Sequence, residues 1–282
     1  MRRYIYFVFL LCCAVNLLLT SCVRQKYVVM DMVHHNPGEA MTESKFLDPS
    51  FLKKNEYGAK VFFLFEAAQF GIDWKSFDPS LFPDTTEAGR WVAEKAEIIH
   101  KKYDAAKKED LQVYCMLDML VLPSLLVEKH RTELTNEQGK LDISKPYTQL
   151  CIRELMKEMF ETFPQLDGLV IRTGETYLHD APYYVGNHPV QNGMYDHITL
   201  INLLREEVCE RRNKKLFYRT WDMGQLHSIP KYYLSVTDSI EPHPNLYFSI
   251  KHTMTDFWRS AITDPDMNYN TCLLYTSDAA DD

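Results

Sequence analysis

The residues of this chain that can do chemistry stand just behind short apolar runs. Glu175 follows Arg172 by three positions in Val-Ile-Arg-Thr-Gly-Glu, Asp222 follows Arg219 by three in Tyr-Arg-Thr-Trp-Asp, and Asp256 follows Lys251 by five. Each group pairs a cation with a carboxylate. Carboxylates so placed can supply the acid and the base needed on opposite sides of a scissile glycosidic bond, which makes Glu175, Asp222 and Asp256 the catalytic candidates. Arg172, Arg219 and Lys251 are candidates for holding a substrate carboxylate through charge-assisted hydrogen bonds. Two earlier runs end in Glu66 and Asp118, which join the substrate-binding set. Phe70, Trp74, Tyr177, Tyr183, Tyr184 and Trp221 offer flat faces to sugar rings, and His252 is a further contact. The competing reading is a structural network in which these charges neutralise one another while the aromatic residues cap a packed end of the fold.

The elements that must position these residues alternate. Apolar runs at 60–66, 111–118, 167–172, 215–220 and 245–251 read as strands. Between them, Glu87 to Lys108 keeps Val92, Ala96, Ile99 and Tyr103 at helical spacing, and further helices are expected over 147–163, behind Pro146, and 195–212. Short apolar strands separated by amphipathic helices imply a parallel sheet covered on both faces. Long loops after each strand favour a closed barrel, whose site lies at the C-terminal ends of its strands. The first strand leads into Glu-Ala-Ala-Gln-Phe-Gly, without the glycine fingerprint of a dinucleotide-binding sheet. The expected fold is therefore α/β, a partial (β/α)8 TIM barrel with about five β/α units, truncated at its C-terminal side.

Composition and the chain ends set further bounds. With 46% hydrophobic and 13% aromatic residues the chain is globular, and a net charge of -8 argues against a nucleic-acid partner. Residues 1–22 carry two arginines, an apolar run and then Leu-Thr-Ser-Cys, the pattern of a secretory signal. The box resembles that of bacterial lipoproteins, which implies lipidation at Cys22, export, and a membrane held through the lipid anchor. Residues 23–55 read as a linker or irregular N-terminal segment, and 56–271 as the barrel. The string Cys-Leu-Leu-Tyr-Thr-Ser-Asp-Ala-Ala-Asp-Asp at 272–282 resembles a translated sequencing adapter and is expected to be a non-native tail. Cys115, Cys151 and Cys209 are widely spaced and lack a Cys-x-x-Cys pair, so they read as small core residues. His179, His188, His197 and His252 fall near the strand ends without the i, i+4 spacing of a helical zinc motif, so no metal is expected.

From Asp167 to Asp256 the chain resembles the catalytic barrel of the α-glucuronidases of glycoside hydrolase family 67. The resemblance rests on Val-Ile-Arg-Thr-Gly-Glu, on Phe217, Tyr218 and Arg219, and on Lys251 with Asp256 and Phe257. It implies that Glu175 is the catalytic acid, that Arg172, Arg219 and Lys251 bind the uronate carboxylate, and that Asp256 helps activate water with a second carboxylate on a later strand, beyond Thr271, without which the segment is expected to be inactive. It also implies an inverting hydrolase with no cofactor, acting on an acidic oligosaccharide or polysaccharide. Arg172 replaces the family's lysine one position nearer the glutamate, and His252-Thr253 replaces its asparagine-glycine step. The alternative is a lipid-anchored glycan-binding or structural protein on a degenerate barrel.

Overall fold

The computed structural model describes residues 30–31, 44–63, 66–173, 176, 178, 180–219, 226 and 229–249. In chain order the strands are β1 (Met30–Asp31), β2 (Ala59–Phe62), β3 (Gln112–Asp118), β4 (Val121–Pro123), β5 (Gly168–Arg172), β6 (Tyr184–Gly186), β7 (Lys215–Arg219) and β8 (Leu246–Ser249). The principal helices are α1 (Pro49–Lys54), α2 (Glu87–Lys108), α3 (Ser124–Lys129), α4 (Arg131–Leu134), α5 (Pro146–Thr162), α6 (Met194–Leu204) and α7 (Pro230–Thr237).

Six strands form one sheet in the order β1-β2-β3-β5-β7-β8, and every neighbouring pair is parallel. Spatial order thus follows chain order without reversal. A doubly wound sheet reverses direction at a switch point, whereas a barrel steps always the same way. The six strands are an arc of a (β/α)8 barrel, and among the described residues β1 and β8 each have one sheet neighbour. The two faces of the arc bury different residues. Ala59, Val61, Tyr114, Met116 and Val170 pack together on the inner face, with Phe63 and Phe217 against them. The large core lies on the opposite face, where β3 contributes Val113, Cys115 and Leu117 and the helices contribute Val92, Ile99, Tyr103, Ile152, Leu155 and Leu200.

Local chemistry explains the helix limits. Thr86 caps α2 by accepting from the Gly89 N–H at 3.0 Å, Glu87 opens its first turn, and Lys107 and Lys108 close its last. Pro49 and Pro146 stand at the starts of α1 and α5, where a missing N–H costs nothing. Among the described residues no helix is long and apolar enough to cross a membrane.

Four features differ from the sequence expectation. The segment read as linker contains β1, which pairs with β2, and the capped helix α1. The first predicted strand stops at Phe62, so Glu66 lies beyond it, just before a 3-10 turn over Ala68–Gly71. The helix expected over 195–212 is α-helical to Leu204 and then widens into a π-helical segment over Arg205–Glu210. A small antiparallel pair, β4 with β6, also joins the loops that follow β3 and β5.

Candidate functional site at the inner mouth of the arc

Alternation along each strand decides which side chains face inward. Tyr114 and Met116 face the inner cluster, so Asp118, two residues on, shares that side; Val170 carries Arg172 with it, and Phe217 carries Arg219. Asp118 stands opposite Arg172 in the β3–β5 register. Ile171 stands opposite Tyr218, which brings Arg172 and Arg219 to the same step of the next pair. Parallel pairing therefore gathers one carboxylate and two guanidiniums at the C-terminal ends of three adjacent strands.

Their contacts are specific. Arg172 grips Asp118 with two hydrogen bonds, Nε donating to Oδ1 and Nη2 donating to Oδ2 at 2.7 Å. Side-by-side pairing of this kind uses both carboxylate oxygens and fixes the guanidinium plane. The pair is largely withdrawn from water, with 10% of the Asp118 side chain and 22% of the Arg172 side chain exposed. Arg219 extends across β5, placing Nη1 3.5 Å from the Met116 sulfur on β3. Beneath the charges, Phe217 stacks on Tyr247 at 4.8 Å and meets Tyr114 edge-on at 5.3 Å, giving the mouth a rigid aromatic floor.

A shallow recess, open to solvent, lies beside the pair and is lined by Phe63, Gln69, Phe70, Met116, Asp118 and Arg172. Its wall is the Ala68–Gly71 turn, which three contacts hold in place. The Ala68 N–H donates to the Cys115 sulfur at 3.1 Å, the Tyr103 hydroxyl donates to the Glu66 carbonyl at 2.9 Å, and the Tyr184 hydroxyl reaches the Gln69 carbonyl at 3.3 Å. Burial pushes the Cys115 thiol up to about 12, so the sulfur stays protonated at neutral pH and serves as an anchor, not a nucleophile. Gly71 allows the turn to sit tight: a Cβ there would lie 2.7 Å from the Phe163 ring and 3.0 Å from the Ala96 backbone. Gln69 is 3% exposed, and its Oε1 is buried with no hydrogen-bond partner among the described residues. Leaving such an oxygen unsatisfied costs about 1–3 kcal/mol.

The predicted site residues divide accordingly. Asp118, Arg172 and Arg219 come together, and Phe70 lines the recess. Glu66 instead makes an ion pair with Lys102 of α2. Of the aromatic residues expected at the mouth, Phe70, Trp74 and Tyr184 belong to the helix-side core, at 5%, 0% and 5% exposure, and Tyr183 packs against it. His197 is also buried, with Nδ1 2.8 Å from the Tyr218 hydroxyl, which burial keeps protonated. Glu175, Tyr177, Trp221, Asp222, Lys251, His252, Asp256 and Cys22 lie outside the described residues, as does His179. Gln69, Phe63 and Met116 were not singled out by sequence. Nothing in Glu-Ala-Ala-Gln-Phe-Gly signals that its glutamine faces a recess, because that placement depends on the turn folding back onto β3.

No protein-family model matches the chain, and no curated protein sequence matches it. Among solved structures it is similar to a GH138 enzyme targeting pectin rhamnogalacturonan II, with 14% identity and a TM-score of 0.45 over 80% of this chain and 25% of that one. It is also similar to Dispersin B, with 13% identity and a TM-score of 0.42 over 82% of this chain and 66% of that one. A third likeness is PbGH5A, a glycoside hydrolase family 5 enzyme from Prevotella bryantii B14, with 11% identity and a TM-score of 0.41 over 82% of this chain and 65% of that one. The chain spans a quarter of the length of the GH138 enzyme.

Proposed function

We propose that this protein is a glycoside hydrolase that removes an α-linked uronic acid, or a related acidic sugar, from a glycan with inversion, while held at a bacterial membrane through a lipidated Cys22. The observation that carries the reading is the convergence of Asp118, Arg172 and Arg219 on the inner ends of three adjacent strands, next to a recess walled by Phe63 and Phe70. Guanidiniums at a strand-end mouth are groups that can hold the carboxylate of an anionic sugar. The motif resemblance supplies the reaction. Glu175 donates the proton to the leaving oxygen, and Asp256 or Asp222 helps activate water on the other face of the ring.

The Asp118–Arg172 pair changes the division of labour among the cations. Arg172 already grips a carboxylate of its own chain, so it offers a substrate only part of its hydrogen-bonding capacity. The same pair favours a second reading, a lipid-anchored glycan-binding protein in which the charges only bind. Hydrolysis of α-linked glucuronides by the full-length protein and its Glu175→Gln variant separates the two. Release of uronic acid that falls by a factor of about 10²–10⁴ in the variant supports the hydrolase. Absence of release from every substrate, with glycan binding intact, overturns it in favour of the binding protein.

A further inference from the structure

The six strands of the sheet all run in one direction, so the arc has two unlike ends. The mouth lies at the C-terminal ends of the strands. At the other end lie the turns that lead from each helix into the next strand. Helix C-termini favour cations, and four basic doublets stand in or beside those turns, beginning at Lys53, Lys107, Arg211 and Lys214. Together the stretches 53–58, 107–111, 164–167, 211–215 and 238–245 carry eight lysines and arginines against six aspartates and glutamates, in a chain whose net charge is -8. Lys53, Lys54, Lys108 and Arg211 are exposed. The connection over 63–86, on the mouth side, has the opposite balance, with four carboxylates against Lys75.

The chain also enters from the basic end. Met30 of β1 stands opposite Ala59, and Ala59 opposite Gln112, the first residues of β2 and β3. Eight steps of chain join Cys22 to Met30, so a lipid on that cysteine is attached within about 28 Å of the N-terminal ends of the strands. Asp118, at the mouth, is six residues beyond Gln112 along β3, about 20 Å in the other direction. Turning the mouth to the bilayer would use most of the tether on height alone, with the loops that follow β3 and β5 still to be cleared.

We propose that the end of the sheet opposite the mouth is a membrane-docking face, laid on an anionic lipid surface by its basic turns and by the tether to Cys22, so that the mouth opens away from the bilayer. The proposal rests on the lipid-anchor part of the reading above and does not depend on the hydrolase. Anionic headgroups attract lysines and arginines within a Debye length and repel the carboxylates of the mouth side. Anchor and charge therefore act in the same sense. The acyl chains hold the protein at the surface, the unlike ends orient it, and a glycan reaches the strand ends from the aqueous side.

The test uses the full-length lipidated protein carrying Cys272→Ser, reconstituted in vesicles whose headgroups bear an energy-transfer acceptor. A donor dye is attached at one end or the other, through Ser239→Cys in the turn before β8 or Thr85→Cys just ahead of α2 on the mouth side, both exposed positions. Cys115, Cys151 and Cys209 are buried and stay unlabelled. Transfer from position 239 should exceed transfer from position 85. The gap should widen when phosphatidylglycerol replaces phosphatidylcholine and narrow again in high salt. Equal transfer from both positions, or more from position 85, overturns the proposal and leaves the anchor standing. A gap indifferent to both lipid charge and salt overturns the role of the basic turns, and with it the docking face. Protein recovered without an acyl chain on Cys22 removes the anchor reading itself and this proposal with it.

Discussion

Asp118 and Arg172 grip each other across the β3–β5 step in a largely enclosed place, so removing either takes two charge-assisted hydrogen bonds from a charge that stays there. The consequence is asymmetric. Asp118→Ala should destabilise the protein by about 2–4 kcal/mol, most of it the cost of leaving the enclosed guanidinium without its carboxylate. Asp118→Ala combined with Arg172→Met should recover most of that loss, because an apolar replacement of both partners removes the uncompensated charge. Urea denaturation of the wild type and both variants checks this. A double variant as unstable as the single one would show that Arg172 is held by other groups. The residues of this pair were legible in the sequence because each closes an apolar run, the one place where a strand of a covered sheet can deliver a charge without burying it fully. Their mutual grip was not legible, since it depends on the register that sets Asp118 opposite Arg172. Gln69 was illegible for a related reason. An isolated glutamine carries no periodic signal, and its place beside the recess comes from a turn held through Ala68 on the sulfur of Cys115.

At the scale of elements, the longest periodic segments were read closely and the shortest were not. The pattern in Glu87 to Lys108 marks α2 at both ends, since its apolar stripe, threonine cap and terminal lysines all agree. β1 has two residues, β4 and β6 have three each, and segments that short have no period to detect; tertiary pairing alone makes them strands. The turn over Ala68–Gly71 belongs with them. It is held by contacts to β3, α2 and β6, and at its end Gly71 lies against Phe163 and the backbone of α2. Gly71→Ala forces a methyl group into that contact, where the Ala96 backbone cannot yield. Overpacking of this kind costs about 1–3 kcal/mol and should move the turn off β3, enlarging the recess. Thermal denaturation reads the first effect. Faster hydrogen exchange at the Ala68 amide, freed from the Cys115 sulfur, reads the second. Full stability in Gly71→Ala would mean that α2 can shift outward, and that the position of the turn is set by the Cys115 and Tyr184 contacts alone.

For the molecule as a whole, successive β/α units are tied laterally by ion pairs on the helix side. Lys129 of α3 reaches Asp78, in the connection between β2 and α2, at 2.8 Å. Arg153 of α5 reaches Glu206, in the π-helical segment before β7, at 2.7 Å. Hydrogen bonding from Lys129, then from Ser80, holds the Asp78 carboxyl down at about 2 against an ordinary 3.8. Arg153 and then Arg211 hold Glu206 below its ordinary 4.5. The sign follows directly. As pH falls below about 4.5 the unfolded chain takes up protons that the folded chain refuses, so the folded state loses stability through this window, down to about pH 2 for Asp78. Both pairs are partly exposed to water, which limits each to the range of about 0–1 kcal/mol typical of surface pairs. Asp78→Asn should therefore lower stability slightly at neutral pH and flatten the acid slope between about pH 4 and pH 2, converging with the wild type at the acid end. Urea midpoints across this pH range measure it. A variant whose slope stays parallel to the wild type would place the acid sensitivity in other carboxylates, and would mean that the lateral ties between units are apolar contacts between helices, with the ion pairs lying over them.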